Sequence, residues 1–421
     1  MKMSRREFGF AAIAAAGAMS APSLMAAARP KVVIVGGGAG GATVARYLAQ
    51  SAKGDIDITL IEPPRMYYTC FFSNLYLGGF RDLSSIGHSY GKLASDFGIN
   101  VVHDWATAID RDKKTVALAS GGMVPYNRLV VAPGIDFKYD TVPGYGIGGA
   151  NKMPHAWKAG SQTELLKAQI NAMPQGGRFV MVAPPNPFRC PPGPYERVSM
   201  IAHVLKQNNP TAKIIVLDPK EKFSKQSLFQ TGWSTHYDGM VEWLPASIVG
   251  KVTHIDTDAM EIRTETDTFK ADAANVIPGQ SAGHIAMSAG LADDSGFCPI
   301  VSATMQSRMD ENIYLVGDST IAGDMPKSGF SANSQAKVAA MAIRASVSGS
   351  KLFPARFANT CWSLIAPNDG VKVGAKYEAT PEKIAKTEGF ISNVGEDAAL
   401  RKRTYEESIG WYQGITADIF G

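Results

Sequence analysis

The chain has 421 residues, with 42 basic and 38 acidic side chains and a formal net charge of +4. At about 150 residues per domain this length allows two or three domains. With 45% hydrophobic and 19% charged residues the chain is globular rather than disordered. The near balance of charge excludes an obvious nucleic-acid footprint, no apolar run beyond the N-terminus reaches the roughly 20 residues of a bilayer span, and the few cysteines exclude a disulfide scaffold.

Residues 1–28 read as an address. Met3-Ser4-Arg5-Arg6-Glu7-Phe8 precedes an Ala-rich apolar stretch and the small-residue exit Ala26-Ala27-Ala28. A basic start, apolar middle and small exit make an export signal, and the adjacent Arg5 and Arg6 resemble its twin-arginine form. Gly17, Ser20 and Pro22 weigh against a lasting anchor. The expectation is cleavage near Ala28 and a periplasmic protein exported already folded.

The next segment has the order of a dinucleotide site. Val32-Val33-Ile34-Val35 is an apolar run of the kind found in buried parallel strands. Gly36, Gly38 and Gly41 follow as G-x-G-x-x-G, then a helical stretch from Ala42 to Leu48, then a strand over 56–61 ending in Glu62. The glycines permit a tight turn and close backbone approach, the helix start faces a pyrophosphate, and an acid at Glu62 can accept ribose hydroxyls.

Downstream, Tyr126 to Gly134 looks like the strand and turn that lead back from the flavin domain in two-dinucleotide-domain flavoproteins. Glu311 to Asp318 looks like their late strand ending in Gly-Asp, where the Asp contacts the ribityl and phosphate region of FAD. Pro326-Lys327-Ser328-Gly329-Phe330 and the Ala-rich helix after it would turn a helix N-terminus toward the flavin, favouring its anionic reduced form. FAD is the expected cofactor.

In the middle, Arg178 to Ala183 is again strand-like, and a later strand over 213–217 ends in Asp218. Where NAD(P)H-dependent reductases carry a second glycine fingerprint, this chain has Pro184-Pro185-Asn186-Pro187-Phe188-Arg189-Cys190-Pro191-Pro192-Gly193-Pro194. Proline has no N–H to cradle a pyrophosphate. The Rossmann-like frame is expected without its nicotinamide function. The seven His form no ligand-spaced cluster with Cys, so no metal site is expected.

Cys70 lies in the loop after the ribose acid, which runs close to the flavin in this fold. Cys190 sits in the proline-rich turn, six residues before Glu196, and Cys361 opens the segment Cys361-Trp362-Ser363-Leu364. Cys298 reads as structural. Which cysteines pair is open, because any two of four can bond. Glu196 reads either as a proton carrier or as a surface acid paired with Arg197.

Taken together, the export signal, the glycine fingerprint, Cys70, the proline-flanked Cys190 with Glu196, and Cys361 resemble the flavoprotein subunit of flavocytochrome c sulfide dehydrogenase. The resemblance runs over essentially the whole mature chain. It implies FAD held by a thioether at Cys70, a redox-active disulfide between Cys190 and Cys361 over the flavin, Glu196 as the nearby acid and Trp411 as an aromatic beside the flavin. It also implies sulfide as substrate and a small c-type cytochrome as partner. No haem is expected in this chain, because no C-x-x-C-H is present. A sulfide:quinone reductase and a non-catalytic flavin-bearing sulfur carrier are the alternatives. The interspersed charges of residues 370–421 disfavour a membrane-bound quinone enzyme.

The expected architecture is α/β, with two interleaved Rossmann-like domains and a small C-terminal domain. The FAD-binding domain takes residues 29–140 and 271–345, the second Rossmann-like domain 141–270, and a flavin-covering or interface domain 346–421.

Overall fold

Lys31–Val35 has every side chain after Lys31 buried, the signature of a strand covered on both faces. The computed structural model describes residues 28–421 and places this strand at the centre of a five-stranded sheet, so the export signal lies outside the described residues apart from Ala28. The sheet runs Ile313–Leu315, Arg128–Val131, Lys31–Val35, Asp57–Ile61, Asn100–Val102, all parallel. The register aligns Val35 with Ile61 and Val131, and Val131 with Leu315. Residues 36–41, 62, 132–134 and 317–318 therefore emerge at one sheet edge. Ligands of open α/β sheets bind at that carboxyl edge.

A second parallel sheet is ordered Val241–Pro245, Lys213–Asp218, Arg178–Val182, Ala273–Val276. Its last strand corrects a boundary. The return to the first unit, expected at 271, comes after Val276, because Ala273–Val276 is fully buried and pairs with residues 179–182. The crossing is a two-stranded ribbon of Ile135–Lys138 against Gly279–Ala282.

The C-terminal part is an antiparallel sheet of Arg356–Ala366, Asp369–Ala379 and Ile384–Ile391, followed by the helix Ala398–Phe420. Asp397 caps that helix by accepting from the Leu400 N–H at 2.7 Å. The far end is pinned to the first unit through Asp418, which accepts from Tyr47 Oη at 2.8 Å and Asn333 Nδ2 at 2.9 Å and pairs with Lys337 at 2.8 Å. Among the described residues no helix is long and apolar enough to cross a membrane.

The glycine turn is sterically demanding. Gly36 has φ +101°, and a Cβ there would overlap the Ala132 carbonyl oxygen. A Cβ at Gly41 would overlap the Gly36 carbonyl oxygen, whereas one at Gly395 would meet nothing within 4 Å. Gly41→Ala should cost about 1–3 kcal/mol and lower retained flavin, while Gly395→Ala should stay within about 0.5 kcal/mol. Thermal unfolding and visible absorbance of the two variants check this, and equal stabilities would contradict it.

Candidate active site

The proline-rich segment builds one wall of the site. Because Pro191, Pro192 and Pro194 cannot donate, the turn is held by other groups: the Cys190 N–H donates to the Lys327 carbonyl and the Gly193 N–H to the Cys190 carbonyl, each at 2.8 Å. Cys190 itself has φ +60°, a left-handed conformation that costs a non-glycine residue roughly 1–2 kcal/mol. Gly193 opens the helix Gly193–Asn208, and a Cβ there would stand 2.8 Å from the Trp157 ring and 2.9 Å from Cys190 Sγ. The thiol is seated against that helix start because the side chain is missing.

Three segments far apart in sequence close over this turn. Cys70 follows the short strand Met66–Tyr68, Cys361 comes from the C-terminal strand Arg356–Ala366, and Trp411 from the last helix. All three line one cleft with Cys190 and Glu196. Ser328, Gly329 and Phe330 also line it, so the helix Gly329–Ser348 starts at the cleft, its N-cap Ser328 accepting from the Ser331 N–H at 3.1 Å. The Trp411 ring lies 5.1 Å from Trp362 and 5.7 Å from Phe71.

Glu196 is not the surface acid paired with Arg197. Its carboxylate accepts from Asn74 Nδ2 at 2.8 Å and from the Leu364 N–H at 2.9 Å. Neighbours on a helix point about 100° apart, and Arg197 makes no ion pair with Glu196 but joins a buried network with Asn74 Oδ1, Asn275 Oδ1 and the carbonyls of His155 and Ala156. Burial pushes the Glu196 carboxyl above its ordinary range, against the two hydrogen bonds that favour its charge. A carboxyl group that lines the cleft with both thiols is placed to exchange a proton.

Burial also pushes up the thiols of Cys70, Cys190 and Cys361. The cation nearest Cys70 is Arg189, which opposes the shift. All four cysteines are free thiols here, so no bond joins Cys190 to Cys361. Cys298 is wholly buried away from the cleft, in a two-residue strand paired with Thr320, and its thiol is pushed up to about 12 by burial.

At the sheet edge, Glu62 turns its carboxylate onto the Gly37 N–H, at the glycine loop, and burial raises its pKa. Asp318 lies 3.9 Å from the Arg189 guanidinium, and its Oδ1 is buried without a hydrogen-bond partner. The indole N–H groups of Trp411 and Trp362 are orphaned in the same way. Unsatisfied buried polar atoms grouped in this way mark a place for a polar ligand. The glycine loop, Glu62 and Asp318 fit a dinucleotide, and the cleft fits the ring at its end.

In the second unit the corresponding edge is filled by side chains. Asp218, only 2% exposed, accepts from Tyr195 Oη at 2.6 Å and Trp243 Nε1 at 3.0 Å and pairs with Lys220 at 2.6 Å. Lys220 also donates to the Pro184 carbonyl at 2.6 Å, and Tyr195 stacks on Phe223 with ring centroids 3.6 Å apart.

Asn74, Arg189 and Lys225 are further residues of the site or its surroundings. Arg189 adjoins Cys190 in the proline-rich segment, so its neighbourhood is a usable signal. Asn74 and Lys225 carried none, since their contacts exist only across the tertiary fold.

The fold and cleft define a two-dinucleotide-domain flavin oxidoreductase whose cleft is lined by three cysteines. The crystal structure of a sulfide:quinone oxidoreductase from Aquifex aeolicus shares this fold, with a TM-score of 0.70 at 19% identity over 93% of this chain and 92% of that one. The profile named Pyridine nucleotide-disulphide oxidoreductase matches residues 30–172. Two more specific profiles match the rest: Sulfide dehydrogenase (flavocytochrome c) flavoprotein chain, central, over 163–278, and Flavocytochrome c sulphide dehydrogenase, flavin-binding, over 354–420. A sulfide dehydrogenase (flavocytochrome c) flavoprotein chain from Chlorobaculum thiosulfatiphilum is 50% identical over 44 residues, 10% of this chain and 90% of that sequence. A mitochondrial sulfide:quinone oxidoreductase from Dictyostelium discoideum is 26% identical over 302 residues, which span 69% of this chain and 65% of that protein's length. The chain belongs to the flavocytochrome c sulfide dehydrogenase flavoprotein family.

The filled second edge leads to a direct expectation. NADH or NADPH, mixed anaerobically with the flavin-loaded protein, should leave its visible absorption unchanged. Rapid bleaching by either nucleotide would show that Asp218 and its aromatic cover move aside.

Proposed function

We propose that this chain is the flavoprotein subunit of a periplasmic sulfide dehydrogenase, which oxidises sulfide to sulfur or polysulfide and passes electrons to a c-type cytochrome. The observation that carries the reading is the convergence of Cys190, Cys361 and Glu196 on the cleft that Cys70 and the start of the helix Gly329–Ser348 also line.

When bound, FAD supplies the two-electron acceptor that links sulfur chemistry to a one-electron partner. Gly36, Gly38, Gly41, Glu62 and Asp318 would hold it, with Cys70 as the point of attachment and Trp411 beside the ring. In the oxidised protein Cys190 and Cys361 form a disulfide. Hydrosulfide attacks Cys190 Sγ, so a new S–S bond forms while the Cys190–Cys361 bond breaks. Cys190 becomes a persulfide, and Cys361 leaves as a thiolate with the electron pair. The Glu196 carboxylate accepts the proton that the persulfide gives up. The aromatic wall of Trp411, Trp362 and Phe71 keeps water from these sulfurs.

Attachment is tested directly. The thioether at Cys70 predicts that acid precipitation leaves flavin with the wild-type protein and releases it from Cys70→Ser. Flavin that stays in the variant's pellet would refute the assignment.

The acceptor is tested on untagged protein from the periplasm of its native host. A c-type cytochrome should co-purify, and its haem should be reduced by sulfide. Cys361→Ser should keep its flavin and lose at least about 100-fold in sulfide turnover. Recovery from the cytoplasm, or brisk reduction of quinone analogues with no cytochrome reduced, would favour a sulfide:quinone reductase instead.

A further inference from the structure

We propose that Lys225 is the counter-cation of Cys361, the ammonium that stabilises the thiolate released there when the sulfur pair opens. This inference rests on the preceding assignment of Cys190 and Cys361 as that pair.

Lys225 precedes the helix Gln226–His236 and is held at φ +62°. It is 4% exposed, and its Nζ donates to the Cys361 carbonyl at 3.1 Å and to Ser363 Oγ at 2.8 Å. Both acceptors belong to residues of the strand that lines the cleft. Among the described residues it has no carboxylate at ion-pair distance; the groups that face it are Cys361, Glu196 and Cys190. A buried ammonium without an anion is costly. Its cost is recovered when negative charge appears on one of those groups. Burial lowers the Lys225 pKa to about 8, and the same three groups oppose that shift.

The surroundings of Cys361 single out this residue. Glu196 faces Cys361 from the helix Gly193–Asn208, Cys190 from the proline turn, Tyr377 from the neighbouring strand, Ser328 from a helix start and Asn359 from its own strand. Arg197 turns toward Cys190 and Glu196. Of the groups facing Cys361, Lys225 is the cation. Charge is conserved in the step: hydrosulfide brings one negative charge to Cys190, and the broken S–S bond delivers one to Cys361. Lys225 also acts on Cys190, but its Nζ is bonded to the backbone of Cys361 itself, which makes it a positioning residue for the thiolate that forms there.

The test needs neither sulfide nor a disulfide. Flavin-loaded protein is reduced with dithiothreitol, freed of reductant anaerobically and alkylated with iodoacetamide across a pH series, with the Cys361 adduct quantified by peptide mass. Lys225→Met and Lys225→Gln should each raise the midpoint pH of Cys361 alkylation by about one unit or more, slowing the reaction about tenfold below that midpoint. Lys225→Arg should restore the wild-type midpoint. A midpoint that does not move when the charge is removed overturns the proposal, and testing two neutral side chains guards against one that does not fold. A peptide map of the oxidised wild-type protein without a Cys190–Cys361 bond would overturn the preceding assignment of the sulfur pair, a different result from an unmoved midpoint.

Discussion

One carboxylate ties the three parts of the molecule together. Glu196 begins a helix of the second unit, accepts from Asn74 of the first and from the backbone N–H of Leu364 in the C-terminal strand. The bond to Leu364 fixes the strand three residues after Cys361, and the Lys225 bonds to the Cys361 carbonyl and Ser363 hold it from the second unit. The same carboxylate is raised in pKa by burial and stands beside both thiols, so its structural and chemical roles share a cause. Buried acids held by neutral donors rather than by a cation keep a proton within reach of neutral pH.

The second constraint is the proline turn. A glycine fingerprint presents N–H groups to a pyrophosphate, and a run of prolines cannot. The parallel sheet beneath it is retained, with Asp218 still at the end of its strand. That acid is instead covered by Tyr195 and Trp243 and neutralised by Lys220. The proline turn presents Cys190 to the cleft in a left-handed conformation.

The C-terminal sheet and helix complete the cleft from the opposite side. The strand Arg356–Ala366 supplies Cys361, and the helix Ala398–Phe420 supplies Trp411, its far end anchored by Asp418. The cleft is therefore enclosed only when this region is docked on the first unit. Lys225, buried in the second unit, bonds the same strand at the Cys361 carbonyl.

Much of this was legible in the sequence because local patterns obey local physics. Four buried apolar residues followed by spaced glycines specify a strand, a turn and a helix with little help from elsewhere, and prolines exclude a phosphate cradle wherever they fall. The grouping of Cys70, Cys190 and Cys361 needed the family resemblance, since spacing alone leaves every pairing open. The second unit's boundary was misread because Ala273–Val276 is recognisable as a central strand only once Arg178–Val182 lies beside it. Glu196 and Arg197 look like a surface pair in sequence, yet both are buried and are bridged by the side chain of Asn74 rather than by each other. Lys225 stands in a polar stretch that reads as a solvated loop, and the chain buries it against a strand more than 130 residues away. Sequence alone determined which backbone could form and which cofactor edge could not. Only the tertiary structure decided which side chains share a charge, because that depends on distances set by how separate elements pack.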